Sequence, residues 1–330
     1  MTPRILLWTT VAWAGLWLLP VSFAQSEDVL FIHAGTVLVG ANEKPLDGQT
    51  IVVGGHRIKR VVPGYVTPSG AESGATVIDL RDHFVLPGLM DMHVHLLSQL
   101  GPTARTDALY VTTSMEALRG AHHAYKTLMA GFTTVRDLGA TPEAIYALRD
   151  AVAKGLVPGP RILAAGSALA ATGGHGDVDG YKPELLKLWT PETICDGPYE
   201  CRKAVRQAIK MGADWIKITA TGGVLSDTAT GTDQQMTDDE LVEIVQTAHG
   251  LGIKVAAHAH GADGIRAALR AGVDSIDHGT FTDADAIRLF KNSGAYLVPT
   301  LSPGVKVPAT MEGNPFFTDA IKAKAIAASR

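Results

Sequence analysis

Met90-Asp91-Met92-His93-Val94-His95-Leu96 is a short apolar run that carries two histidines at spacing i, i+2. Successive side chains of a strand point to opposite faces, so His93 and His95 share one face if the run is extended. Alone, such a pair is also what satisfied core or surface histidines look like. It gains weight from two further runs that end the same way, Val255-Ala256-Ala257-His258-Ala259-His260 and Ser275-Ile276-Asp277-His278. Core packing does not explain histidine at three separate strand ends. In a parallel β/α barrel the carboxyl ends of all strands meet at one mouth, where imidazoles can hold a divalent metal.

Outward from that run, the chain beyond Pro87 alternates short apolar strands with helical stretches, the pattern of a parallel α/β arrangement. Strands are predicted over 90–96, 133–138, 161–165, 215–220, 254–260, 275–278 and 296–301. Helices are predicted over 115–129, 142–153, 200–211, 238–251, 262–271, 284–291 and 318–330. Gly131, Gly155, Gly212, Gly252, Gly272 and Gly294 stand just past helical runs, where a left-handed residue closes a helix. Seven strand–helix units are one short of a barrel's eight, and an open doubly wound sheet fits the count equally well. The histidines decide for the barrel, with its eighth strand missing from this chain. Residues 25–86 differ: β-like runs at 29–33, 35–39, 50–53, 57–62 and 77–80, with a hairpin around Gly54-Gly55, predict a small all-β domain.

The chain has 330 residues, 46% hydrophobic and 19% charged, enough for one large globular domain and a small one. A net charge of -4 gives no electrostatic case for nucleic acid or an anionic membrane as partner. Arg4, the apolar stretch 5–19, Pro20 and Ser22-Phe23-Ala24 read as a signal peptide over 1–24, and hence as a secreted or periplasmic protein. An uncleaved anchor is the other reading, but the stretch is shorter than the ~20 residues that a bilayer span needs. No membrane partner is expected after signal removal. Cys195 and Cys201 form either a loop-closing disulfide or two free thiols, and the sequence leaves that choice open.

Trp215-Ile216-Lys217-Ile218-Thr219 embeds a lysine in an apolar strand. A buried ammonium is costly and would be repelled by nearby cations. Addition of CO2 to the amine gives a carbamate, an anion whose oxygens can bridge two metals about 3.5–4 Å apart. A lysine that reaches the rim or pairs with an acid is the alternative; the histidines favour the carbamate. Such a metal pair would produce hydroxide at neutral pH. A carboxylate is usually needed to move its proton to the leaving amine. Asp137 and Asp277 lie on strands, but neither stands where the unit count puts that group.

Phe84-Val-Leu-Pro-Gly-Leu-Met-Asp-Met-His-Val-His-Leu96 resembles the first barrel strand of the amidohydrolase superfamily. Thr133-Thr-Val-Arg-Asp-Leu138, Ala171-Thr-Gly-Gly-His-Gly176, Trp215-Ile-Lys-Ile-Thr-Ala-Thr-Gly-Gly223, Val255-Ala-Ala-His-Ala-His-Gly261 and Ser275-Ile-Asp-His-Gly279 resemble its imidazolonepropionase-like branch. That branch includes secreted dipeptidases acting on Xaa-Pro or Xaa-basic peptides. The resemblance runs from about Val29 to the end. It implies a (β/α)8 TIM-like barrel over 87–330 and a small β-sandwich, built from both chain termini, of which 25–86 is the N-terminal part. It also implies two divalent metal ions, usually zinc. His93 and His95 would hold one metal, His258 and His278 the other, with carbamylated Lys217 bridging them. His175 would face the substrate. His260 would stand behind the ligands, its exchange with His258 left open, and Gly222 and Gly223 would let their loop pass close to the metals. Arg136 would meet a carboxylate, or pair with Asp137 or a helix end.

The family's proton-transferring aspartate sits at the end of strand eight, so the chain is expected to be a C-terminally truncated fragment, poorly folded or inactive alone. The implied function is hydrolysis of an amide or peptide bond, in a dipeptide, by a metal-bridging hydroxide. The alternatives are a lactam or aryl-amide hydrolase, or a catalytically dead metal-binding protein. The expected partner is a small-molecule or dipeptide substrate; a homo-oligomer is left open. Asp227 and Asp233 read as solvated loop acids rather than partners of a substrate ammonium.

Overall fold

A computed structural model describes residues 28–227 and 231–329; the signal peptide predicted over 1–24 lies outside them. The chain divides into two compact units after Pro87. In the first, β1 (Val29–Val37), β2 (Leu46–Gly54), β3 (Arg57–Pro63) and β4 (Thr76–Val85) form one sheet in the order β3-β2-β1-β4. The β1–β2 and β2–β3 pairs are antiparallel and β1–β4 is parallel. The two strands expected over 29–33 and 35–39 are one strand, whose register against β4 shifts between Ala34 and Thr36. The sheet's core is small: Ala34, Val37 and Ile51 are buried among Ile32, Val53, Val61 and Val85.

The second unit runs β5 (Leu89–Val94), α1 (Ala104–Tyr110), α2 (Thr113–Met129), β6 (Phe132–Asp137), α3 (Pro142–Ala153), β7 (Arg161–Ala164), α4 (Pro183–Trp189), α5 (Gly197–Met211), β8 (Trp215–Thr219), α6 (Asp238–Gly250) and β9 (Lys254–Ala259). It continues with α7 (Ala262–Ala271), β10 (Ser275–His278), α8 (Ala284–Ser293), β11 (Tyr296–Val298), α9 (Leu301–Ala309) and α10 (Asp319–Ala328). Its strands are all parallel and pair in sequence order, β5-β6-β7 and β8-β9-β10-β11. Leu169 joins the two sets: its N–H donates to Lys217 O at 2.8 Å, and its carbonyl accepts from Thr219 N–H at 3.0 Å. Among the described residues no eighth strand follows β11, and no helix is long and apolar enough to cross a membrane.

Alternation sorts the side chains by face. Val135, Ile162, Ile216, Ile218, Val255 and Ile276 pack on the helices, against Ile145, Leu148, Val205, Ile244 and Ile265. Each such burial contributes roughly 1.5–3 kcal/mol. The strand pairings align Lys217 with Ala256 and Thr219 with His258, and then Ala256 with Ser275 and His258 with Asp277. The period of two therefore gathers the polar residues on the face away from the helices. All six glycines expected to close helices have positive φ, from 69° at Gly155 to 111° at Gly212. The helices α1, α4 and α9 were not predicted. Residues 299–301, predicted to extend the last strand, instead lead into α9, whose prolines hid its helical pattern; Pro303 stands in its first turn, where its missing N–H costs little.

Cys195 and Cys201 form a disulfide, which resolves the choice the sequence left open. Cys195 precedes α5, Cys201 lies within it, and both are buried. Cys195 N–H donates to Ala170 O at 3.0 Å, so the bridge ties the segment after β7 to the start of α5. The Cys195→Ser, Cys201→Ser double variant should lose about 2 kcal/mol in urea unfolding, the loop-closure value for so short a ring. An unchanged midpoint would show that the surrounding contacts hold this loop by themselves.

Candidate metal centre

β5 is irregular where it carries its histidines, its register slipping between Asp91 and Val94. His93 N–H donates to Asp91 Oδ1 at 3.1 Å, and His95 lies one residue past the strand end. His95 Nδ1 donates to Gly139 O at 2.8 Å; a carbonyl only accepts, so Nε2 keeps its lone pair. On β9, His258 Nε2 donates to Gly222 O at 3.2 Å, which leaves Nδ1 as the free donor nitrogen. A cleft of about 270 Å³ opens beside His95, lined also by Ser98, Gln99, His123 and Lys126.

His278 breaks the strand rule. Alternation along β10 aims Ser275 and Asp277 at the polar face, so His278 should point to the helices. Its backbone is left-handed instead, with φ 72°, and that strained conformation, worth ~1–3 kcal/mol, swings the ring back. The ring centroid lies 4.9 Å from that of His93, 4.7 Å from His258 and 4.8 Å from His260. Thr300 Oγ1 pairs with His278 Nδ1 at 2.7 Å, and Thr280 Oγ1 with His260 Nδ1 at 2.7 Å. The sequence placed His260 behind the ligands; in the structure a ligand nitrogen from each of His258, His260 and His278 lies within 4.8 Å of the others.

His175 completes the group, its ring centroid 4.2 Å from that of His258. Its backbone N–H donates to Gln235 Oε1 at 2.8 Å. A Cβ on Gly223 would lie 2.2–2.3 Å from the His175 ring, and one on Gly222 would lie 2.2 Å from Gly231 O. Both positions therefore require glycine for close approach, to a ring and to a neighbouring backbone.

Burial is the first cause that keeps these rings neutral. It holds His93 and His260 down to about 4, with Lys217 adding to it, and His175 down to about 3, where His260 adds to it. His258 and His278 lie well below the ordinary imidazole value for the same reason, helped by their histidine neighbours. Neutral imidazole is the form that ligates metals. His93 Nδ1 and His175 Nδ1 are buried without a hydrogen-bond partner. His93 Nδ1 stands 3.5 Å from Asp277 Oδ2, too far for a good bond. Neutral nitrogen donors converging from several strand ends, two of them buried and unmet, fit a divalent cation.

Beside the rings, Lys217 Nζ donates to Asp277 Oδ2 at 2.6 Å, and Arg136 Nη2 to Asp277 Oδ1 at 3.0 Å. Burial draws the Lys217 ammonium below its ordinary value, and Asp277 opposes that. Burial also works against the Asp277 carboxylate, but Lys217, then His93 and Arg136, hold it well below the usual range. Arg136 does meet a carboxylate, but it is that of Asp277, and the guanidinium is too buried to touch a substrate. Asp137 accepts from Leu96 N–H at 2.7 Å and Gly139 N–H at 3.3 Å, bracing the chain on both sides of His95, and burial pushes its carboxyl up to about 6. Asp227 is tied to Thr318 and Arg105, a structural role beyond that of a solvated loop acid.

A parallel α/β fold that gathers six imidazoles, five of them held neutral by burial, beside a buried lysine has the make-up of a metal-dependent hydrolase. The amidohydrolase family matches residues 84–327, and the chain belongs to that family, whose members generally use a divalent metal. It is 31% identical over 300 residues to the ochratoxinase of Aspergillus niger, covering 86% of this chain and 61% of that protein. The chain thus spans about three-fifths of the length of the curated relatives it matches. A solved Xaa-Pro dipeptidase with bound methionine in its active site is 42% identical, with a TM-score of 0.83 over 92% of this chain and 74% of the other. A prolidase complexed with N-methylphosphonate-L-proline is 33% identical, with a TM-score of 0.80 over 92% and 73% of the two chains.

Asp277→Asn would leave Lys217 and Arg136 buried without their countercharge, so chemical unfolding should register a loss of about 3–5 kcal/mol. A loss within about 1 kcal/mol, the range of an exposed pair, would mean that water reaches the network. Gly223→Ala should cost about 1–3 kcal/mol by overpacking against His175, read by the same method. No change there would show that the loop retreats freely.

Proposed function

We propose that the protein is a metal-dependent amidohydrolase that cleaves the amide bond of a small substrate, with Xaa-Pro or Xaa-basic dipeptides as the favoured class. The convergence of neutral histidines on Lys217 and its strand neighbours carries this reading. His93 and His95 would hold one divalent ion. His258 and His278, with His260 beside them, would hold the second, and N6-carboxylated Lys217 would bridge. Zinc suits such nitrogen donors. When bound, the ions supply the Lewis acidity that activates water near neutral pH and polarises a carbonyl. The chain's own groups do the positioning: Gly139 and Gly222 carbonyls set which nitrogens of His95 and His258 are free, and Thr280 and Thr300 orient His260 and His278. His175, packed on His258 in the loop after β7, would face the substrate.

The likeness to a Xaa-Pro dipeptidase and to a prolidase carrying a proline phosphonate supports a dipeptide substrate. The likeness to ochratoxinase supports a second reading, a different amide. The proposed architecture is a (β/α)8 TIM-like barrel of which residues 87–330 supply seven strands, with the β1–β4 sheet as the N-terminal part of a β-sandwich. A buried disulfide suits an oxidising compartment, and so supports export.

The full-length protein, loaded with zinc and bicarbonate, should hydrolyse Xaa-Pro dipeptides in a peptide panel, lose that activity to a chelator and regain it with zinc. Lys217→Ala should lower kcat/KM by at least about 100-fold. Turnover indifferent to chelation, or unchanged in Lys217→Ala, would overturn the reading; turnover of aryl amides alone would favour the second.

A further inference from the structure

Arg136 heads the fully buried side chains of the described residues by volume. A guanidinium does not shed its proton, so its burial requires fixed partners. Nε donates to Met92 O at 2.8 Å, Nη1 to Ser275 Oγ at 3.1 Å and Nη2 to Asp277 Oδ1 at 3.0 Å. The guanidinium carbon stands 4.5 Å from the centroid of the Trp215 ring.

These contacts join strands that the backbone does not. Arg136 is on β6; its partners are on β5, β8 and β10, yet among the described residues β5 pairs only with β6, and β10 with β9 and β11. Each partner strand carries a ligand of the proposed centre close to the contact. Met92 adjoins His93, Trp215 is two residues before Lys217 on the same face, and Asp277 adjoins His278 while its other oxygen accepts from Lys217. The guanidinium is planar and its donors diverge at fixed angles, so it sets the positions of its acceptors relative to one another. A lysine ammonium at the same place has no such fork.

We propose that Arg136 is a positioning residue that sets the relative placement of the three ligand-bearing strands β5, β8 and β10, acting on Lys217 through Asp277. This inference rests on the metal-centre reading above.

The test titrates zinc alone into wild-type protein, Arg136→Lys and Ser275→Ala, in competition with a chromogenic chelator, and records the visible spectrum of each with cobalt(II). Circular dichroism and Tm accompany both. Arg136→Lys should keep its fold but bind zinc at least about tenfold more weakly at one or both sites, with a shifted cobalt spectrum. Ser275→Ala, which removes one acceptor and no charge, should shift the spectrum in the same sense and less far. A fall in Tm with wild-type zinc affinity and wild-type spectrum in Arg136→Lys would make Arg136 merely structural and overturn the inference. Should Arg136→Lys fail to fold, Ser275→Ala decides by the same spectrum, an unshifted band counting against it. Wild-type protein that binds no zinc would instead refute the metal-centre reading, an outcome visible before any variant is compared.

Discussion

Two buried cations share one carboxylate. Lys217 and Arg136 both donate to Asp277, one to each oxygen, and none of the three is open to solvent. Separating either cation from the carboxylate would leave a bare charge in an apolar interior, so the strands that carry them are held together. The histidines hang on that arrangement. β5 is anchored by Met92 O on the Arg136 guanidinium, and β10 by Asp277 itself. The rings at their ends are then near neighbours, whatever ion they receive.

What the sequence made legible were the features that repeat. Strand–helix alternation, glycine at helix ends and histidine at i, i+2 obey short periods, and each strand predicted in the second unit overlaps one that is present. What it obscured were features set by a single backbone angle or by distant pairing. His278 looked like another inward strand residue, yet it reaches the cluster only through a left-handed turn that no period encodes. Asp277 was set aside because counting units asks where a proton-transferring acid belongs, not which face of β10 the residue is on; alternation put it inward. Arg136 was weighed against its neighbour Asp137, while its side-chain hydrogen-bond partners lie more than a hundred residues onward, on β10. Thr280 and Thr300 are common residues whose work shows only once the rings beside them are placed.

Family membership rests on residues 84–327, and similarity to a Xaa-Pro dipeptidase extends over 92% of the chain. Neither says how the rings of the proposed centre are kept neutral and oriented. That follows from burial, from carbonyls that fix tautomers and from two unmet nitrogens.

The left-handed backbone at His278 also limits which replacements the site tolerates. Glycine there would relax the chain but remove an imidazole, and asparagine would sit easily while offering only a short amide. A β-branched residue would suffer the strain and give no donor at all. Natural or laboratory variation at this position should therefore be narrow for two unrelated reasons, one conformational and one chemical, so that comfort of the main chain and capture of a cation pull the choice in opposite directions.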